Sequence, residues 1–373
     1  MKVGIAGIAS FYWPRAFASY ARRIEGLQLC AAATAGRTAE QVQRSLGQSP
    51  EAFAAEFGLR LYDDPAQMVR EEGLEAAFVC AEPSRAYELV QELAPLGVHL
   101  YIAKPMANTV ERAQQIVSAC QKAGIVAASG NTMRFDAALR AAWQRIAAGQ
   151  IGDIFCVRVM HEHGNINVFP PEDWYWHKEE GGPELSLGWY VVDAIRWLSG
   201  AEVVHVFAEY GNFASPRSPF MDNGKLLCRL SSRAIASADI YFSMSWSFPR
   251  WEIEVVGSKG AIKTMQTGYE AMLFSEHGVE AFQKTLNDMV LAEVQDWATA
   301  CQQGGRPAVP VEDALRTLAV CLAARQAAET QQPVSLGSRA SQEEPPGLPV
   351  WQKRPRARPG AGRIGADPVG SGS

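Results

Sequence analysis

Four stretches of this sequence hold side chains whose types and spacing could do chemistry. The first is Gly7-Ile8-Ala9-Ser10-Phe11-Tyr12, directly after the apolar run that starts at Val3. A dinucleotide-binding turn usually reads G-x-G-x-x-G, because glycine lets the main chain approach a pyrophosphate at a helix N-terminus. Here only the first glycine is present; Ala9 is a mild change and Tyr12 a large one. The second stretch is Thr34-Ala35-Gly36-Arg37, at the place where an acid for the adenosine ribose normally stands. A hydroxyl and a guanidinium suit a 2′-phosphate, since arginine grips phosphate bidentately. That favours NADP over NAD. A solvated arginine at a helix start is the competing reading of Arg37.

The third stretch is His161-Glu162-His163, followed by Asn165, Trp174, Trp176, His177 and Lys178. Alternating strand residues share a face, so the two histidines could reach one metal ion. No third ligand is identifiable, and no metal site is expected. Aromatic rings flanked by polar groups suit stacking on a sugar or another flat ligand. The fourth is Arg134, which reads either as a contact for a substrate carboxylate or phosphate, or as one half of a domain-joining salt bridge.

The elements that must position these groups change character along the chain. Strands at Val3–Gly7, Leu27–Ala33, Leu59–Tyr62, Ala76–Cys80, Val98–Ile102 and Ile125–Ala128 alternate with helices at Ala39–Leu46, Pro50–Phe57, Pro65–Glu72, Ser84–Leu96 and Val110–Ala123. Strands separated by helices imply right-handed crossovers and a parallel, doubly wound sheet. After a helix at Ala137–Ala148 the pattern turns β-rich, with strands at Ile154–Met160, Val203–Tyr210, Lys225–Leu230, Ala236–Ser245 and Trp251–Val256. Helices at Leu187–Leu198 and Val311–Glu329 accompany them. The layout is an α/β domain over 1–130, an antiparallel α+β domain over 131–337, and a tail over 338–373.

Composition bounds the partners. The chain has 35 Lys plus Arg against 40 Asp plus Glu, a net charge of −5. That leaves no basic field for nucleic acid and no polybasic membrane patch. Residues 341–373 carry five basic and three acidic side chains, with six Pro and six Gly, so the tail is +2 and reads as disordered. Seven widely spaced cysteines with no C-x-x-C give neither a disulfide framework nor a zinc site, and a reducing cytoplasm is the simplest compartment. The run Val3–Trp13 is short, glycine-interrupted and ended by Pro14, so it reads as strand and turn rather than as a secretory leader.

Five landmarks then occur in order: Ile102–Ala107 with Lys104-Pro105 at its centre, Asn131–Asp136, Gly181–Asp193, Gly257-Ser258-Lys259-Gly260 and Gly304–Pro310. Together they resemble the glucose–fructose oxidoreductase/inositol dehydrogenase/rhizopine-catabolism (Gfo/Idh/MocA) family over about residues 1–336. The resemblance implies a Rossmann domain followed by an α+β domain on an open, mostly antiparallel sheet. It implies hydride transfer between NADP or NAD and a sugar-like or cyclic alcohol or ketone, and a homodimer or homotetramer.

The resemblance also implies roles. The family's Glu-Lys-Pro motif maps to Ala103-Lys104-Pro105, which puts Lys104 beside the nicotinamide and the reacting oxygen. Its Asp-x-x-x-His pair maps to Ser186 and Tyr190, both departures. Tyr190 is the expected acid/base, with its phenol lowered by the neighbouring ammonium. Cofactor contacts are expected from Gly7, Ala9, Ser10, Thr34, Arg37, Ala81, Glu82, Pro83, Ala103, Lys104 and Asn131. Substrate contacts are expected from Arg134, His163, Asn165, Trp176, Ser186, Tyr190 and Asp193. The missing glycines, the Ala103 replacement and the absent Asp/His pair keep two alternatives open. One is a non-catalytic relative that senses a ligand or serves as an assembly partner. The other is a redox-neutral lyase or glycosidase with tightly held NAD.

Overall fold

A computed structural model describes residues 1–164, 169–170, 173–214, 220–244, 250–265, 270–283 and 287–337. Asn165 and the expected tail lie outside the described residues.

The first part of the chain runs β1 (Lys2–Ala6), α1 (Trp13–Ala21), β2 (Gln28–Ala33), α2 (Ala39–Leu46), α3 (Pro50–Phe57), β3 (Arg60–Tyr62), α4 (Pro65–Glu72), β4 (Ala76–Val79), α5 (Pro83–Leu93), β5 (His99–Ile102), α6 (Val110–Ala123) and β6 (Ala127–Ser129). The six strands form one parallel sheet in the order β3-β2-β1-β4-β5-β6. Order reverses between β1 and β4, so their C-terminal ends open a crevice, the usual ligand position in such sheets. Small strand residues (Ala6, Ala31, Ala33, Ala77) pack one face, while Val3, Ile5 and Phe78 fill the other with Phe17 of α1. Helix α5 stops at Leu93, three residues before the expected end, and a 3-10 turn covers Ala94–Leu96. Pro95 has no N–H to continue the helical bonding.

The second part runs α7 (Ala137–Ala147), β7 (Ile154–Gly164), α8 (Pro183–Ser199), β8 (Val203–Gly211), β9 (Asn223–Leu230), β10 (Ile235–Met244), β11 (Arg250–Gly257), β12 (Gly260–Met265), β13 (Glu270–Ser275), β14 (Gly278–Gln283), α9 (Met289–Gln303), α10 (Val311–Thr330) and β15 (Val334–Ser335). Its nine strands follow the order β14-β13-β12-β11-β7-β10-β9-β8-β15, antiparallel except where β10 runs parallel to β7. Helices α8 and α10 pack together against one face.

Five elements of this part were not expected from the sequence: β12, β13, β14, α9 and β15. Strands β12, β13 and β14 extend one edge of the sheet as an antiparallel meander, and β15 adds to the other edge beside β8. Helix α9 returns to the first sheet, where Trp297 packs 5.0 Å from Phe78 and 5.6 Å from Tyr101 between ring centroids. Its buried stripe of Val294, Trp297, Ala298 and Cys301 has helical spacing and was a usable signal. No described helix is long and apolar enough to cross a membrane.

Candidate active site

Lys104 leaves the C-terminal end of β5, just before a cis bond to Pro105. Its Nζ donates to the Ser186 carbonyl oxygen at 3.2 Å and lies 4.7 Å from the centroid of the Tyr190 ring. Ser186 and Tyr190 sit four residues apart on α8 and so share a face. The structure thus brings together three residues that were expected to meet. Burial lowers the Lys104 amine to about 7. Ala103, where the family motif has an acid, supplies no countercharge to hold it up.

The expected lowering of the Tyr190 phenol is not what the structure shows. The ammonium faces the ring, not the hydroxyl. Burial raises the phenol above its ordinary value, the Glu293 carboxylate adds to this, and a hydrogen bond with Thr132 opposes them.

His161 and His163 share one side of β7, their ring centroids 6.5 Å apart. His161 meets the Tyr190 ring edge-on at 5.2 Å. Burial lowers His161 to about 3, with His163 and Lys104 adding to it, so the imidazole is neutral. Burial likewise lowers His163. Lys104, Tyr190, His161 and His163 therefore form one cluster; His161 was left out of the expected contacts, though the alternation with His163 pointed to it. Glu162 faces away and pairs with Arg250, whose Nε lies 2.8 Å from Oε2. Among the described residues, no three His, Cys, Asp or Glu side chains could share a metal ion.

A small cavity of about 40 Å³ opens beside this cluster. Its walls include Ser10, Phe11, Lys104, Phe169, Trp174 and Ser186. The glycine-poor turn forms one side. Gly7 has φ +91°, and a Cβ there would stand 2.8 Å from the Cys80 carbonyl oxygen, so glycine is required. Phe11 and Tyr12 are partly exposed and both line the cavity, Phe11 packing 6.0 Å from the Phe169 ring. No side chain of its own caps α1, but Pro14 in its first turn has no N–H and the Ala16 N–H is taken by the Tyr12 carbonyl. Gly7 gives the main chain the close approach that a dinucleotide pyrophosphate needs.

Two acids from the segment between β7 and α8 reach the first sheet's loops. The Asp173 carboxyl accepts from the Tyr175 N–H at 2.9 Å and also interacts with the Phe11 backbone amide. Burial pushes it up to about 6. Glu180 accepts from the Ser84 N–H at 2.9 Å, at the start of α5, and from Asn108 Nδ2 at 3.4 Å. Both contacts are long-range, and no local pattern announces them.

Several expected contacts are placed elsewhere. Arg134 and Asp193 are buried against each other, with Nε–Oδ2 and Nη2–Oδ1 both 2.6 Å. Arg134 also bonds Asp313 and the Ala308 carbonyl, and Thr317 donates to Asp193 at 3.1 Å. Burial alone would raise Asp313, but Arg134 and Arg196 hold it well below the carboxylate range. These groups form a buried ion network within the second part of the chain rather than between its two parts. Trp176 stacks on Phe220 and donates its indole N–H to the Pro170 carbonyl at 2.8 Å; Trp174 and Tyr175 line the cavity instead. Thr34 is buried and donates to Asp63 at 3.2 Å. Arg37 is held by Glu82 at the edge of a groove that also includes Ala9, Arg44 and Ser84. Ala81 is partly buried and Pro83 buried at the start of α5. Asn131 is fully buried, and its side-chain amide has no hydrogen-bond partner among the described residues.

The chain matches two family models: an oxidoreductase family with an NAD-binding Rossmann fold over residues 1–131, and the GFO/IDH/MocA C-terminal domain over residues 139–263. It belongs to the Gfo/Idh/MocA oxidoreductase family. Among relatives, scyllo-inositol 2-dehydrogenase (NAD(+)) of Bacillus subtilis is 25% identical over 299 residues, covering 77% of this chain and 85% of that protein. Myo-inositol 2-dehydrogenase of Thermotoga maritima is 24% identical over 289 residues, covering 74% and 84%. A crystal structure of an Agrobacterium radiobacter oxidoreductase in complex with NAD+, L-tartaric acid and magnesium superposes with a TM-score of 0.78 at 20% identity. It covers 90% of this chain and 98% of that one, and shows the shared fold.

Proposed function

We propose that this family member is an NAD(P)-dependent oxidoreductase that interconverts a secondary alcohol and a ketone on a cyclic polyol or sugar-like substrate. The named inositol dehydrogenases support the substrate class. The observation that carries the reading is the Lys104 amine, brought to about 7 and placed over the Tyr190 ring in the cleft.

Residues 1–130 form the nucleotide half and 131–337 the substrate half. Gly7, Ala9 and Ser10 hold the pyrophosphate. NAD(P) bound there supplies the hydride acceptor. Lys104, neutral above about pH 7, takes the proton of the substrate hydroxyl; its ammonium then hydrogen-bonds the ketone oxygen. Tyr190 keeps its proton and donates to the same oxygen, while His161 and His163 present neutral imidazoles to the ring hydroxyls. This exchanges the roles expected from the sequence, because the lysine titrates near neutrality and the phenol does not.

Arg37 favours NADP only when Glu82 releases it, so the pair sets the cofactor choice. Leu227 and Ile235 are exposed on the sheet face away from α8 and α10, which suits a homodimer or homotetramer. Absorbance at 340 nm with a panel of inositols and aldoses, using NAD+ and NADP+, tests the function. Reduction by at least one polyol, lost in Lys104→Met, is the expected result; no reduction with any member rejects the substrate class.

A further inference from the structure

One buried acid has no part in the scheme above. Glu293 lies on α9 and is 3% exposed. Its Oε1 accepts the backbone N–H of Asn131, the residue that follows β6 and Gly130. A Cβ placed on Gly130 would stand 2.7 Å from the Tyr101 hydroxyl and 3.5 Å from Glu293 Oε1. Glycine at this position lets the main chain, the phenol and the carboxyl meet. Glu293 Oε2 has no hydrogen-bond partner among the described residues.

The titratable groups around it come from several elements. Tyr101 faces it from β5, Asp193 from α8, and Asp296 from its own helix. Tyr190 of α8 feels its charge directly and also that of Tyr12, just before α1. Arg134, in the turn after Asn131, is engaged by Asp193 and Asp313. On the α1 side, Arg23 pairs with Asp288 at the start of α9. Burial raises Glu293 to about 8; the Asn131 amide and Tyr101 restrain the rise.

We infer that Glu293 is a positioning residue for the hydride-transfer cleft: its carboxyl fixes the main chain at Asn131 and, once ionised, sets a negative charge beside Tyr190 that favours a cationic oxidised nicotinamide over the neutral reduced one. The inference rests on the reading of the cleft as a nicotinamide site. The physical ground is that a charge in a low-dielectric interior acts strongly over short distances. Ionising Glu293 and binding a cationic ring must assist each other reciprocally. Neutral Glu293, below about pH 8, has no such preference. Lys104 loses its proton near pH 7 and shifts the preference in the same direction. Its contribution is common to the native chain and to a Glu293 variant, so the difference between the two isolates Glu293.

The test measures dissociation constants for NAD+ and NADH by calorimetry from pH 6 to 9.5, with the full chain and with Glu293→Gln. The native chain is expected to gain about tenfold in relative NAD+ affinity between pH 7.5 and 9.5, a gain worth about 1.4 kcal/mol. Glu293→Gln is expected to keep only the small residual change that Lys104 contributes above pH 7.5. Identical curves overturn the inference while leaving the cofactor reading intact. No binding of either nucleotide by the native chain overturns both. Tyr101→Phe provides a second route if Glu293→Gln does not fold. Removing the phenol is expected to move the break to higher pH, and an unmoved break overturns the inference.

Discussion

The Lys104 ammonium group sits 4.7 Å above the face of the Tyr190 ring rather than beside its hydroxyl. The ring quadrupole favours the charged amine there. Burial works against it and prevails, bringing the group to about 7. Lys104, rather than Tyr190, is thereby the group able to exchange a proton near neutral pH.

That assignment fixes a pH profile. A base must be deprotonated to act, so alcohol oxidation should rise with pH and level off above about 7, while ketone reduction falls over the same window. Lys104→Met should lose about a thousandfold in turnover, within the usual range for a general acid/base. NADH binding should change only a few-fold. Steady-state rates from pH 5.5 to 9 check the profile, and a sloped profile in the variant would assign the proton to another group.

Asp173 places a buried carboxyl against the Phe11 amide in the turn that should face the pyrophosphate. Burial has raised it to about 6, so it is mostly ionised at pH 7.5 and opposes an anionic ligand. Asp173→Asn should tighten nucleotide binding about fivefold at pH 7.5, of the order expected for one partly screened charge. The gap should close as the native acid protonates below pH 6. Fluorescence quenching titrations at pH 5.5 and 7.5 measure both quantities.

Glu293 also bears on stability. Its folded-state value of about 8 lies above its ordinary 4.5, so the folded chain holds this proton more tightly. The resulting stabilisation is fully present below about pH 4.5 and is lost as pH rises through about 8. Relative to the native chain, Glu293→Gln should gain about 5 °C in Tm between pH 5 and 8.5, a few kcal/mol on this chain's scale. Thermal melts at the two pH values suffice, and parallel melting curves would show that Glu293 does not titrate in this range.

The Arg134–Asp193 pair should behave as framework. Asp193→Ala leaves a buried guanidinium short of one partner and should destabilise the fold by about 3–5 kcal/mol. The measurement is the urea midpoint.

The sequence carried the parallel half of the fold because each strand and helix there is local and punctuated by glycine or proline. The meeting of Lys104 with Tyr190 was legible only through the resemblance to the family's motifs, because strand and helix patterning alone does not say which elements meet. The sequence did not carry which charges neutralise one another. Arg134, Asp193 and Asp313 span some 180 positions, and their pairing follows from α8 packing on α10. Nor did it show that Glu82 holds Arg37, or that α9 brings Glu293 to Asn131. The phenol was misjudged for a related reason: a pKa depends on which atom a charge faces, and that is a three-dimensional fact.

The most direct test of the account is calorimetric titration of the full chain with NAD+ and NADP+ at pH 8. Saturable binding of one nucleotide per chain is expected, with NADP+ gaining on NAD+ in Glu82→Gln as Arg37 is freed. Absence of binding with both nucleotides, by a chain that melts cooperatively, would contradict it.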